Sequence, residues 1–309
     1  MGASSGAAED VRDALDFAGQ DLRGHDFTGA SLVGANFMGA TLADAEFYEA
    51  DLTDAEFTGA VLEGANFERA QAPRASFGNA SMGDARLFGA NLEGATLSGA
   101  DLSGADLRST NLSNVRMVRC TLDGADLECA DLSGASARGS TIKGANFNRA
   151  KLAGACVREL KFAETASWLE AEINEVDFTG AYLLRRQILD QNYIHEFRNR
   201  GLGHTIVYWV WWLTSDCGRS MLRWGLCTLM VAVSFGLGYL MVDVDFGPNQ
   251  TVLSPFYFSL VTITTLGYGD VLPRSVNAQA LVMAEVAIGY MMLGGMLSIF
   301  SDKMARRAG

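Results

Sequence analysis

The 309-residue sequence predicts two fold classes joined end to end, an all-β solenoid over its first half and an all-α membrane domain at its C-terminal end. Three observations carry this prediction. Large apolar residues recur at every fifth position from Phe17 to Phe162. Two apolar runs near the C-terminus each reach about 20 residues, the length that crosses roughly 30 Å of hydrocarbon. Between the runs lies Thr264-Thr265-Leu266-Gly267-Tyr268-Gly269-Asp270, where two glycines flank one aromatic and open backbone conformations closed to other residues.

Composition divides the same way. The net charge is −12 although 49% of the residues are hydrophobic, because the acids crowd into residues 1–200 and the apolar runs follow them. This balance argues against a nucleic-acid-binding face. Residues 1–20 lack a basic start followed by an apolar core, so no signal peptide is expected. Cys120, Cys129, Cys156, Cys217 and Cys227 show no close pairing and no histidine company, which points to reduced thiols rather than a disulfide framework or a zinc site. The chain presents no Ser/His/Asp grouping, no phosphate-cradling loop and no metal-ligand cluster, so neither an enzyme nor a bound cofactor is expected.

Residues 1–13, rich in Gly, Ala, Ser and acids, read as a disordered tail. The period then runs through Phe17, Leu22, Phe27, Leu32, Phe37 and onward, keeps phase across Ala72-Pro73, and reaches Phe147, Leu152, Val157 and Phe162. A small residue, usually alanine, stands two positions before each large one. A period of five suits neither a helix at 3.6 nor a strand at 2.0, but it suits a solenoid in which every fifth residue points inward. Ala72 and Ala137 are undersized for inward places and should leave thin spots, and Pro73 is expected at a bulge or altered corner. The phase breaks over Ala163–Glu172 and resumes one step shifted with Ile173, Phe178 and Leu183, which reads as a loop or short helix closing the solenoid end.

These units resemble the pentapeptide-repeat family, Ala-(Asp/Asn)-Leu-X-X. The resemblance implies a right-handed β-helix of square cross-section over residues 14–183, with a C-terminal cap. At four units per coil it implies about seven coils, each rising ~4.8 Å, and a rod of ~35 Å.

Residues 184–203 place Leu184, Ile188, Tyr193, Ile194 and Phe197 among charges and predict an amphipathic linker helix. Over 204–220, Tyr208, Trp209, Trp211 and Trp212 form a cluster too short to span a bilayer, which predicts an interfacial helix. His195 and His204 read as surface histidines or as pH sensors near the membrane. Residues 221–243 form the first predicted span, 252–264 a segment too short to cross that reads as a re-entrant helix, and 277–302 the second span. The first span is entered at Arg219 and Arg223, while Lys303, Arg306 and Arg307 follow the second, and the loop between the spans has only Arg274. The positive-inside rule therefore places both termini in the cytoplasm.

Residues 265–270 resemble the selectivity filter of potassium channels, Thr-Val-Gly-Tyr-Gly, with Leu266 in the valine place. Resemblance to the two-transmembrane type, as found in bacteria, extends over 221–305. Thr262, Thr264 and Thr265 match the threonine-rich end of the family's pore helix, Tyr257 and Phe258 its aromatic pair, and Gly289 its gating-hinge glycine. The resemblance implies a homotetramer in the cell (inner) membrane, multi-pass, whose permeant ion is K⁺. The carbonyls of Thr265, Leu266, Gly267 and Tyr268 would coordinate the ion, Gly269 and Asp270 would form the outer filter, and Tyr257, Phe258, Thr262, Thr264 and Glu285 would support it. Leu266 departs from the common filter, and Val261 stands where some members carry a carboxylate.

Glu285 lies inside the second span, where it is either neutral and hydrogen-bonded to hydroxyls such as those of Ser259 or Thr262, or exposed in a cavity. Gly294 and Gly295 suit a second flexible point or close packing, and Met291, Met292 and Met296 suit packing better than a metal. The repeat domain would serve regulation or assembly, through an unidentified cytoplasmic ligand or protein. The alternatives are a membrane-anchored repeat protein that imitates DNA, and a poorly selective cation channel.

Overall fold

A computed structural model of the chain describes residues 15–218, 220–248, 250–264, 266, 267, 269 and 271–305. The expected tail over 1–13, together with Arg219, Thr265, Tyr268, Asp270, Arg306 and Arg307, lies outside the described residues. Two compact units divide between His195 and Glu196.

In the first unit every fifth residue bridges in parallel to the residue 20 positions on, from Asp16↔Asn36 to Thr141↔Lys161, so four five-residue sides make one coil. The hydrogen bonds repeat with the same period. Asn36 N–H donates to Leu15 O (2.9 Å), Phe37 N–H to Glu56 O (2.7 Å) and Gly39 N–H to Thr58 O (3.0 Å), while Ala40 N–H closes the turn on Phe37 O (3.0 Å). In the regular coils the residue after each inward one keeps its N–H out of the ladder. A side chain often takes that hydrogen, as Asp51 Oδ1 does from Thr53 N–H at 3.1 Å.

Pro73 occupies this position, and Pro73 O accepts from Asp54 N–H (3.1 Å) like its counterparts, so the expected bulge is corrected to an ordinary turn. Proline lacks the one hydrogen that the ladder does not use.

Inside the coil the aromatics form two columns. Phe17, Phe37, Phe57 and Phe77 stack with ring centroids 4.8, 4.8 and 4.9 Å apart, and Phe27, Phe47 and Phe67 at 5.0 and 4.8 Å. Rings of adjacent columns meet edge to face, an arrangement favoured by their quadrupoles. Alanines fill the narrow gaps and are fully buried. Where a polar residue replaces one, its hydrogen reaches a carbonyl of a neighbouring coil. Thr110 Oγ1 donates to Leu87 O (2.8 Å) and Ser140 Oγ to Met117 O (2.6 Å). The Cys120 thiol, which donates to Leu97 O, is pushed up to about 12 by burial. All five cysteines are free. The thin spot expected at Ala137 is an apolar cavity of ≈ 10 Å³, lined also by Met117, Ile142, Phe147, Val157 and Trp168.

Two expectations at the end of the solenoid are corrected. Phe162 takes a left-handed conformation (φ 60°) and is half exposed rather than inward, and a 3₁₀ turn over Ala163–Thr165 follows it. This turn does not close the rod. It absorbs one inserted residue, after which Asn146↔Ser167, Lys151↔Glu172 and Cys156↔Asp177 carry the ladder on at a spacing of 21. The rod therefore gains a coil beyond the expected seven, and Trp168 takes the inward place, stacked on Phe147 at 4.3 Å.

The closure is helix α1, Tyr182–Asn199, expected as a linker. Leu184 and Ile188 join the core. Gln191 Oε1 accepts from Trp168 N–H (3.0 Å), Asn192 Oδ1 from Glu170 N–H (2.7 Å), and Gln187 and Gln191 donate to Ala163 O and Ala166 O. Backbone groups that a further coil would have paired are thus paired by side chains.

The second unit contains α2 (Leu202–Ser215), α3 (Met221–Tyr239), α4 (Ser254–Ile263) and α5 (Val276–Ala305), with a two-residue antiparallel pair, β1 (Val244–Asp245) and β2 (Leu272–Pro273). Helices α3 and α5 are long and apolar enough to cross a membrane. Ser220 caps α3 by accepting from Arg223 N–H (3.2 Å), and Pro255 enters the first turn of α4, where no N–H is needed. Helices α3, α4 and α5 pack on one another, and α2 packs on α3. Helix α2 exposes Ile206, Val207, Trp209, Val210 and Leu213, and Arg198 lies over the rings of Tyr208 (5.4 Å) and Trp209 (5.7 Å).

Candidate functional site: the segment between two apolar helices

The site is built on α4. Its carbonyls near the C-terminal end have no helical N–H to receive, and the following segment uses one of them, with Leu266 N–H donating to Val261 O at 3.0 Å. Thr264 Oγ1 donates to Leu260 O (2.7 Å) and holds the last turn. Gly267 and Gly269 then both take positive φ, 47° and 74°, which a side chain would strain, so glycine is required at these two places. The Leu266 side chain is exposed. Three of the predicted ion-binding or outer-filter residues, Thr265, Tyr268 and Asp270, lie outside the described residues.

The predicted supports fall into different settings. Phe258 packs on Tyr239 (4.9 Å) and Phe246 (6.3 Å), Thr262 is buried, and Tyr257 is exposed on the single chain. On the outer side, Arg274 N–H donates to Asp243 O (3.1 Å) and the Arg274 guanidinium pairs with Asp245, tying the loop after α3 to the strand after the glycines. That pairing holds the Asp245 carboxylate below its ordinary range, behind the larger effect of the Gly247 N–H.

Helix α5 runs unbroken past Gly289, where it meets the backbone of Ile263. At Gly295 an added Cβ would lie 2.3 Å from Trp224 Cζ2, which identifies close packing, while Gly294 has open space around it. Trp224 Nε1 donates to Met292 O at 2.7 Å and fastens α3 to α5. The sequence reading missed this contact, because a tryptophan near the start of a span looks the same whether it faces lipid or a neighbour.

Glu285 is fully buried. Its Oε1 is in hydrogen-bond contact with Ser259 Oγ, its Oε2 lies 2.6 Å from Tyr239 Oη, and Ser259 Oγ also lies 2.7 Å from Ala232 O. Of the two hydroxyls expected for it, Ser259 is the partner. Tyr239 was missed; its only signal was a phenol at the end of an apolar run, where an interfacial role reads equally well. Among the described residues no group of acids, cysteines and histidines is arranged to hold a metal.

Comparison with known proteins follows the same division. The family described as "Pentapeptide repeats (8 copies)" matches residues 21–59, 50–87, 85–124 and 125–159, and the family described as "Ion channel" matches residues 226–306. Two-pore potassium channel 3 of Arabidopsis thaliana is 33% identical over 95 residues, 28% of this chain and 22% of that protein. Two pore potassium channel b of Oryza sativa subsp. japonica is 39% identical over 70 residues, 22% of this chain and 20% of that protein. Human potassium channel subfamily T member 1 is 36% identical over 67 residues, 22% of this chain and 5% of that protein. The chain thus spans about a fifth or less of the length of these relatives.

Among solved structures, full-length QnrB1, a plasmid-mediated fluoroquinolone resistance protein, aligns with 56% of this chain and 97% of its own at 20% identity and a TM-score of 0.24. A pentapeptide repeat protein from the cyanobacterium Cyanothece 51142 aligns with 41% of this chain and 95% of its own at 22% identity and a TM-score of 0.22.

Proposed function

We propose, for a chain that joins a pentapeptide-repeat domain to an ion-channel segment, that four copies form one potassium-selective pore in a cell membrane. The observation that carries this reading is the short segment after α4. It is anchored by Leu266 N–H on Val261 O and bent by two glycines at positive φ, between two helices long enough to span. A single copy offers one strand of backbone, so a ring of carbonyls needs several copies around an axis. In the assembled pore, α4 is the re-entrant pore helix and its C-terminal dipole end favours a cation. Carbonyls of Thr265, Leu266, Gly267 and Tyr268 replace the water around K⁺, with Gly269 and Asp270 at the outer mouth. Gly289 is the point at which α5 parts from the end of α4 on gating. Both termini lie in the cytoplasm, and the repeat domain regulates or assembles the pore through a cytoplasmic partner.

The test is ion flux into liposomes that hold the purified full chain. K⁺ influx well above Na⁺ influx is expected, and Gly267→Ala, which places a side chain at a positive φ, is expected to abolish the difference. Equal influx of the two ions into wild-type vesicles overturns the selectivity.

A further inference from the structure

We propose that Glu285 is held as a neutral carboxylic acid, and that its own proton completes a hydrogen-bond chain pinning α4 to both α3 and α5. Three oxygen pairs meet at this point: Ser259 Oγ with Ala232 O, Ser259 Oγ with Glu285 Oε1, and Tyr239 Oη with Glu285 Oε2. The two hydroxyls bring one hydrogen each, and the backbone carbonyl brings none. An ionised Glu285 also brings none, so two hydrogens would serve three contacts and one pair of oxygens would face each other bare. With Glu285 protonated the count closes. Ser259 donates to Ala232 O, Glu285 Oε1–H donates to Ser259 Oγ, and Tyr239 donates to Glu285 Oε2.

The setting favours the same state. Glu285 is fully buried in a helix that spans, and no ion pair reaches it among the described residues. A buried carboxylate without a cation is costly, whereas a neutral acid with both oxygens engaged is not.

The chain also lies where it controls the pore helix. Ser259 and Ile263 are one turn apart on α4, and Glu285 and Gly289 are one turn apart on α5. Ser259 meets Glu285 and Ile263 meets Gly289, so two successive contacts fix both the depth and the rotation of α4 against α5. Ala232 and Tyr239 hold the same point from α3. Glu285 is therefore a positioning residue: it acts on the ion path only through α4.

Two measurements on the full chain test this. The first is the infrared difference between wild type and Glu285→Gln, in which a protonated-carboxyl C=O band is expected in the wild type and absent from the variant; its absence from the wild type overturns the proposal. The second compares variants by K⁺-over-Na⁺ flux ratio and thermal midpoint. Glu285→Gln keeps a donor for Ser259 and an acceptor for Tyr239, so the flux ratio is expected within about twofold of wild type. Glu285→Ala leaves Tyr239 and Ser259 short of partners and is expected to lower the ratio by roughly tenfold or more. Equal damage from both variants shows that the ionised group is needed and overturns the proposal. The inference relies on the channel reading only for the flux assay. If wild type passes neither ion, that reading fails, while the infrared band and the order of the midpoints still decide where the proton is.

Discussion

Gly289 lies so close to the last turn of α4 that a Cβ built on it would stand 2.6 Å from the carbonyl oxygen of Ile263. The neighbour is backbone rather than a movable side-chain tip, so any side chain at 289 pushes the two helices apart. Gly289→Ala is expected to destabilise the membrane unit by about 1–3 kcal/mol, the usual cost of overpacking. Gly294→Ala, in open space on the same helix, is expected to be neutral or to gain up to about 1 kcal/mol from helix propensity. Thermal unfolding of the purified full chain separates the two, and equal shifts would remove the packing argument.

The two phenylalanine columns fill the first coils of the rod. Phe47 is fully buried between Phe27 and Phe67, with Phe37 and Phe57 edge-on. Phe47→Ala is expected to cost about 3–5 kcal/mol. Ala137→Val, beside the ≈ 10 Å³ cavity, is expected to gain up to about 1 kcal/mol. Denaturant midpoints followed by far-ultraviolet circular dichroism report both signs.

The closing helix should matter more for solubility than its exposure suggests. Gln191 both accepts from Trp168 N–H and donates to Ala166 O, so Gln191→Ala unpairs two backbone groups at the last coil. A loss of about 1–3 kcal/mol is expected. Light scattering during heating should show earlier association through the bared edge, and unchanged scattering would mean that Leu184 and Ile188 close the rod without help.

Acid should loosen the rod in a predictable direction. The Arg108 side chain, bonded to both oxygens of Asp106 at 2.8 and 2.6 Å, holds that carboxyl below its ordinary value of 3.8. Asp26 is lowered by Thr28, and Asp54 by Arg74. A carboxyl whose folded pKa is depressed stabilises the fold above its unfolded pKa, and the contribution is lost as pH falls through the folded value. Stability is therefore expected to fall as pH drops below about 5. Asp106→Asn should flatten that limb in an acid titration of ellipticity and leave the neutral range less stable.

The period of five was legible because the inward places repeat every five residues and the coil closes after 20. Nearly every inward residue therefore meets another large apolar residue one coil away, and sequence spacing and contact coincide. Trp168 was not legible, since the single inserted residue moves it out of phase and only the 21-residue bridges reveal where it goes. Helix α1 read as a linker because, among its described side chains, just Leu184 and Ile188 are buried, and its capping is done by Gln and Asn, whose polar side chains look solvent-facing in a sequence. In the membrane unit, Gly267 and Gly269 were legible from residue type alone, because positive φ nearly dictates glycine. Tyr239 and Trp224 were not, since their partners lie 46 and 68 positions away and no periodicity links them.

The ladder makes rod length an independent variable. Each coil presents the next with the same four-sided set of donors and acceptors, offset by 20 residues, and the single misfit is confined to the turn at Ala163–Thr165, immediately before the last coil. Removing or duplicating one block of 20 residues upstream of that turn would leave α1 seated on an unchanged surface. Length would then change in steps of about 4.8 Å. A family of such chains would be a graded ruler, with every member carrying the same end piece and differing only in reach.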